Sequence, residues 1–173
     1  MRKIFTLCFI LTLLLSSTHM IHAQYEGGVI MKITSPAFGH NQLIPKKYTC
    51  QGEDSNPLLK ISDIPEGTET LALIVDDPDA PGKTWVHWVL YNIEPANQIE
   101  EDSVPGQQGL NDFGRLDYGG PCPPSGTHRY FFKLYALDIE LVVSEGLRKR
   151  DIEEAMSNHI LAKAELMGLY KKE

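Results

Sequence analysis

Basic residues are scarce in this chain. Its 173 residues carry 16 Lys and Arg against 23 Asp and Glu, and the basic ones form no run longer than Arg148-Lys149-Arg150. An acidic chain without a basic patch argues against nucleic acid and anionic membrane as partners. Cysteine is equally sparse, with only Cys8, Cys50 and Cys122. None of them has a neighbour at ligand spacing, so a cysteine-held metal is a weak reading. Internal repeats and low-complexity tracts are missing. Regular βαβ alternation is also absent, and with it the signature of a parallel α/β sheet.

What is present begins with Met1-Arg2-Lys3 and an apolar run from Ile4 to Leu15, closing on Ile21-His22-Ala23. A basic start, a short apolar core and a small final residue predict a secretory signal at 1–23, cleaved after Ala23. The run is short for a membrane helix, so stable membrane insertion is not expected; an uncleaved anchor or a buried strand is the alternative. Cys8 lies inside the run rather than at its end, which argues against a lipoprotein anchor. Residues 24–173 then form one domain, large enough for its own core. Without Arg2 and Lys3, 14 basic residues face 23 acidic ones, a charge of −9. Export, periplasmic or secreted, leaves Cys50 and Cys122 in an oxidising compartment, where a disulfide between them is expected. Two buried free thiols are the alternative.

Strand signals dominate the remainder. Val29–Ile33 reads as a first strand, Lys47–Thr49 and Leu58–Ile61 as short ones. Thr70–Val75 is nearly all apolar, as in a central strand covered on both faces. Alternation over Thr84–Tyr91 places Trp85, His87, Val89 and Tyr91 on one face and Val86, Trp88 and Leu90 on the other. Arg129–Asp138 is the strongest strand, with Tyr130, Phe132, Leu134 and Ala136 sharing the face of His128. Residues 94–127 are rich in Gly, Pro, Asn and Asp, and a connection of that length predicts a wrap around a site. From Asp151 to Tyr170 the apolar period is helical, with Asp151 as the cap and Glu154 three positions on. The sum is a mainly β, mainly antiparallel domain with a C-terminal helix.

Two dense stretches carry the chemistry. Asp76-Asp77-Pro78-Asp79-Ala80-Pro81 runs into Trp85-Val86-His87-Trp88, and Gly119-Gly120-Pro121-Cys122-Pro123-Pro124-Ser125-Gly126-Thr127-His128-Arg129-Tyr130 follows. Asp77, Asp79, His87 and His128 are metal-type ligands, but no HxxxH or HxH spacing enforces a site, and we expect no metal and no cofactor. A triad of Ser125 or Cys122 with His128 and Asp77 lacks a nucleophile elbow, so a hydrolase is the minority reading and no residue is assigned as catalytic. Anion binding fits better. His87 and His128 are donors that can carry charge near neutral pH, and Tyr130 adds a phenolic O–H. Gly120 and Gly126, with Gly119 and Ser125 beside them, let backbone N–H groups approach. Trp85 and the prolines supply apolar walls. Arg129 pairing with Asp79 would tie the two loops together.

These stretches resemble the two signature regions of the phosphatidylethanolamine-binding protein family, in its bacterial and archaeal branch of Raf-kinase-inhibitor-like proteins. Tyr48–Asp54 and His159–Leu166 are also similar to that branch, so the likeness covers nearly the whole of residues 24–173. It implies a β-sandwich-like domain with a large central sheet, a smaller second sheet and helices near the C-terminus. It also implies a pocket for phosphate-like or carboxylate anions such as a phosphoethanolamine headgroup, lined by Asp77, Trp85, His87, Pro123, His128 and Tyr130, with Asp79, Pro81 and Arg129 in support. Family members are described as headgroup binders and as inhibitors of kinases or serine proteases, without a common reaction. A non-catalytic exported binding or regulatory protein is therefore expected. A serine protease inhibitor acting through a loop such as 97–112 is the alternative, and the branch also suggests a homodimer. The short segment between Pro81 and Trp85, and Cys122 in the anion loop, depart from the eukaryotic pattern. The cramped turn and the family likeness together point to a cis Ala80–Pro81 bond.

Overall fold

The computed structural model describes residues 30–144 and 146–173. The expected signal at 1–23, its cleavage point and the leader at 24–28 lie outside the described residues. In chain order the elements are β1 (Lys32–Thr34), β2 (Gln42–Leu43), a single 3-10 turn (Lys46–Tyr48), β3 (Leu59–Ser62), β4 (Thr70–Asp77) and β5 (Trp85–Ile93). They continue with β6 (Gln98–Ile99), β7 (Gln107–Gln108), β8 (Thr127–Leu137), α1 (Lys149–Met156) and β9 (Ile160–Lys171). Six strands form the large sheet in the order β2-β9-β8-β4-β5-β7, and β1-β3-β6 form the small one. All pairings are antiparallel except β2 with β9.

β4 is buried along its whole length, which explains its nearly unbroken apolar run. Leu71, Leu73 and Val75 face the small sheet, in one core with Ile33, Leu59, Ile61, Ile99, Phe132 and Leu134. Ala72 and Ile74 face the other way, in a second core with Leu141, Ile152 and Met156. The molecule is thus small sheet on large sheet on helix. Asp76 is buried on the helix side, between the ammonium groups of Lys133 on β8 and Lys149 on α1.

Four expectations need correction. The C-terminal helix ends at Met156, and Ile160–Lys171 is a strand paired with β8 from Leu137↔Ile160 to Thr127↔Lys171. Pairing overrides the propensity of the helix-forming residues there. Gly168 fixes the fit, since a Cβ on it would lie 2.5 Å from Ile44 Cγ1. The α1 cap also differs: Arg148 is the first flanking residue, and its N–H donates to Asp151 Oδ2 at 3.0 Å. Lys46–Tyr48 is a 3-10 turn rather than a strand. Finally, no peptide bond is cis among the described residues, so Ala80–Pro81 is trans. The turn closes through the Asp79 N–H, which donates to Asp77 Oδ1 at 2.8 Å.

Cys50 and Cys122 are joined, with Cα atoms 5.5 Å apart. The bond clamps the loop before β8 to the segment after the 3-10 turn. Three hydrogen bonds lie alongside it: Cys50 N–H to the Pro121 carbonyl, Gly120 N–H to Asp54 Oδ1, and Tyr118 O–H to the Tyr48 carbonyl.

Candidate functional site

The two dense stretches meet at one end of the large sheet, where β4 and β5 exchange a turn and β8 begins. Strict alternation does not place His87. In the β4–β5 ladder Val75 opposes Trp88 and Asp76 opposes Val86, so His87 is the extra residue of a β-bulge. Val86 therefore joins the helix-side core and Trp88 the small-sheet core. Val89 and Tyr91, expected to share the face of His87, also turn to the helix side. His87 turns towards β8, where its ring meets Tyr130 edge-on with centroids 5.2 Å apart. Trp85 and His87 each meet Phe113 the same way, at 5.5 and 5.4 Å.

A cavity of about 230 Å³ opens here, lined by Asp77, Ala80, Pro81, Trp85, His87, Phe113, Cys122 and Pro124. That is small beside a pocket for a drug-sized ligand and suits a compact polar group. A larger cleft, about 670 Å³, lies between residues 43–46 and the C-terminal residues 170–173, and none of the candidate residues lines it. Among the described residues no group of three or more His, Cys, Asp and Glu is placed to hold a metal ion.

Of the expected site residues, Asp77, Trp85 and His87 line the cavity, and Pro81 forms part of its wall. His128 and Tyr130 stand behind it. His128 Nδ1 lies 2.7 Å from Asp77 Oδ2, and both side chains are buried. Tyr130 is fully buried, and its hydroxyl has no partner at hydrogen-bonding geometry. Burial, and then the nearby Asp77 carboxylate, push that phenol far above its ordinary range. Pro123 is buried beside the cavity, while Pro124 reaches the wall in its place. Gly126 takes a left-handed φ of 71° at the turn into β8. Gly120 has no room for a Cβ, which would sit 2.6 Å from the Tyr48 carbonyl oxygen.

His87 is fixed by a reciprocal clamp. Its Nδ1 lies 2.6 Å from the Gly119 carbonyl oxygen, and the Gly119 N–H donates to the His87 carbonyl at 3.0 Å. A carbonyl only accepts, so Nδ1 carries the proton. Burial, the largest influence on the ring, pushes its proton affinity below the ordinary range, so the imidazole is held towards its neutral form.

At the rim the Arg129 guanidinium and its backbone N–H all donate to Asp79. The side-chain bonds to Arg129 hold the Asp79 carboxyl down at about 2. A depressed carboxyl stabilises the fold above its unfolded range and loses that contribution as pH falls from about 4 towards 2. The pair is partly exposed, so solvent screening keeps the contribution small.

Phe113 and Asp54 were not singled out from the sequence. Phe113 sits in an Asn-Asp-Phe-Gly turn, where Asn111 Oδ1 accepts from the N–H groups of Phe113 and Arg115. That asparagine turn signal was readable; that the ring would close a cavity against Trp85 and His87 on β5 was not.

Two packed sheets, a short helix and a small aromatic-and-carboxylate pocket at one sheet end define a mainly β scaffold. The chain belongs to the phosphatidylethanolamine-binding protein family, whose model matches residues 34–171. It is 48% identical over 150 residues to a UPF0098 protein of Methanothermobacter thermautotrophicus, covering 82% of this chain and 99% of the relative. A UPF0098 protein of Aquifex aeolicus is also 48% identical, over 157 residues, covering 85% and 92%. Among solved structures, a phosphatidylethanolamine-binding protein homologue from Chlamydia trachomatis superposes with a TM-score of 0.81 at 45% identity, covering 84% of this chain and 99% of that one. YbcL of E. coli, described as a new member of the mammalian family, gives 0.76 at 30% identity, covering 83% and 99%.

Proposed function

We propose that this protein is an exported, non-catalytic binding protein whose cavity takes a phosphate-type anion. The observation that carries the reading is the convergence of β4, β5 and the loop before β8 on one cavity with Asp77 and His87 in its wall. Trp85, Phe113 and the prolines exclude water around a small ligand and leave space for a short organic tail. Cations stand outside: Lys83 Nζ is 5.2 Å from the Trp85 ring and the Arg115 guanidinium 5.5 Å from Phe113. Each is paired with a neighbouring acid, Asp112 and Asp117, so they bring N–H donors to the pocket mouth rather than a net positive charge.

A hydrogen bond to a charged group contributes roughly 1.5–3 kcal/mol, so losing one should weaken binding about tenfold or more. Titration calorimetry with phosphate and phosphoethanolamine is expected to show that loss in both His87→Ala and His128→Ala. His128→Ala acts by leaving Asp77 without its imidazole partner. Circular dichroism should show both variants folded. Unchanged affinity in both folded variants would place the binding elsewhere. A phosphoester and ester turnover screen with the same variants as controls tests the hydrolase reading.

Protease inhibition is the second reading. Val104 is exposed within a segment pinned on one side by Asn56, which binds residues 100, 102 and 103, and on the other by β7. A protease panel, with Val104→Asp as the control, decides it.

A further inference from the structure

The wall of the cavity offers acceptors where an anion site would be expected to offer donors. Asp77 is an acceptor-only carboxylate. Oδ1 already takes the Asp79 N–H and Oδ2 the His128 ring, which leaves each oxygen with spare accepting capacity. His87 has committed Nδ1 as the donor to Gly119, so in its neutral form Nε2 is a second acceptor. The charged groups that act on the His87 ring from neighbouring elements are Asp77 on β4 and Asp54 in the loop before β3, both acidic. Tyr130 faces it from β8 as a neutral phenol, and Phe113 covers the remaining side without charge. Among the described residues no lysine or arginine reaches the ring: Lys83 and Arg115 stand at the outer rings, paired with Asp112 and Asp117.

An oxyanion that presents only lone pairs to Asp77 meets like charge and no proton. One that carries an O–H can donate to the carboxylate or to Nε2 while its remaining oxygens accept from donors at the mouth. We propose that the cavity selects protonated oxyanions, inorganic phosphate and singly ionised phosphomonoesters, and rejects sulfate and phosphodiesters, which have no proton to give. The inference rests on the anion-pocket reading above and narrows it to a ligand class. Asp77 and His87 are its specificity-determining residues.

Four small probes separate the possibilities by calorimetry at constant ionic strength: inorganic phosphate, sulfate, methyl phosphate and dimethyl phosphate. At pH 7.5 phosphate should bind at least tenfold more tightly than sulfate, a difference of about 1.4 kcal/mol for a tenfold change. Methyl phosphate should exceed dimethyl phosphate by a similar factor near pH 5.5. Its affinity should then fall towards tenfold per pH unit above about 6, where a monoester loses its last proton. Inorganic phosphate keeps a proton through this range, so its affinity should change far less. Asp77→Asn adds an amide donor and should shrink the phosphate-to-sulfate ratio. That ratio is read on the folded fraction alone, and the wild-type series stands without it. Sulfate binding within about twofold of phosphate overturns the selectivity and leaves the pocket assignment standing. Binding of none of the four overturns both.

Discussion

Asp76→Ala is expected to lower the unfolding free energy by roughly 3–5 kcal/mol, the range for removing one member of a buried ion pair. Asp76 is fully buried on β4, and its carboxylate is shared between Lys133, whose Nζ lies 2.8 Å from Oδ1 and 2.9 Å from Oδ2, and Lys149 at the start of α1. Oδ1 lies off hydrogen-bonding geometry, so that contact is ionic rather than directional. The triad ties α1 to β4 and β8, two strands already joined by their own ladder. Alanine would leave two ammonium groups facing each other over an apolar floor. Their side chains are 28% and 21% exposed, so both can swing partly into water, which keeps the loss near the lower end of the range. The variant Asp76→Leu, Lys133→Met, Lys149→Met removes all three charges together and should lie close to the wild type, because the desolvation cost disappears with the attraction. Urea unfolding followed by circular dichroism measures both. A single variant within about 0.5 kcal/mol of wild type, the ordinary range for surface changes, would show that the triad does not hold α1 to the sheet.

Removing the disulfide is expected to cost a comparable amount by a different route. Cys50 and Cys122 are 72 residues apart, and closing a loop of that length contributes roughly 4 kcal/mol in the chain-entropy picture. The stabilisation acts on the unfolded chain, so the folded loop need not move when the bond is lost. Pro121, Gly120 and Tyr118 remain held by their hydrogen bonds to the 48–54 segment. Cys50→Ser with Cys122→Ser should therefore lower the urea midpoint strongly while phosphate affinity stays within about threefold. Mass spectrometry of the oxidised protein should find no free thiol outside Cys8. Equal stability of the oxidised protein and the double serine variant would refute the assignment.

The parts of this fold legible in the sequence were those where one physical signal acted alone. The apolar run of β4 announced burial on both faces, and the alternation of β8 placed His128 and Tyr130 together. The even cysteine pair beyond the N-terminal segment announced its bond. The parts that stayed hidden were those where tertiary contact chose between local preferences. Residues 160–171 contain Leu, Ala, Lys, Glu and Met, all good helix formers, yet β8 offers them a full ladder of partners. The inward set Ala162, Ala164, Leu166, Gly168 and Tyr170 does alternate, and a glycine within it was the available warning. His87 shows the same limit within the site. Alternation alone would have put it with Val89 and Tyr91; the bulge that turns it towards Tyr130 depends on pairing with β4. Its protonation depended on one carbonyl, that of Gly119, which no local pattern reveals.

The last strand of the chain is not at the edge of its sheet. β9 fills a slot between β8 and β2, with Gly168 opposite Gln42 on one side and Tyr130 on the other. A polypeptide emerging amino end first can pair β4, β5 and β8, but the slot stays empty until its final residues arrive. Completion of the large sheet therefore waits on β9 and is dominated by distant contacts, a topology that folds in milliseconds to seconds rather than microseconds. The strand runs to Lys171, so a fusion or tether joined just beyond it would load the segment whose arrival closes the sheet. A fusion ahead of Ile30 leaves that step free.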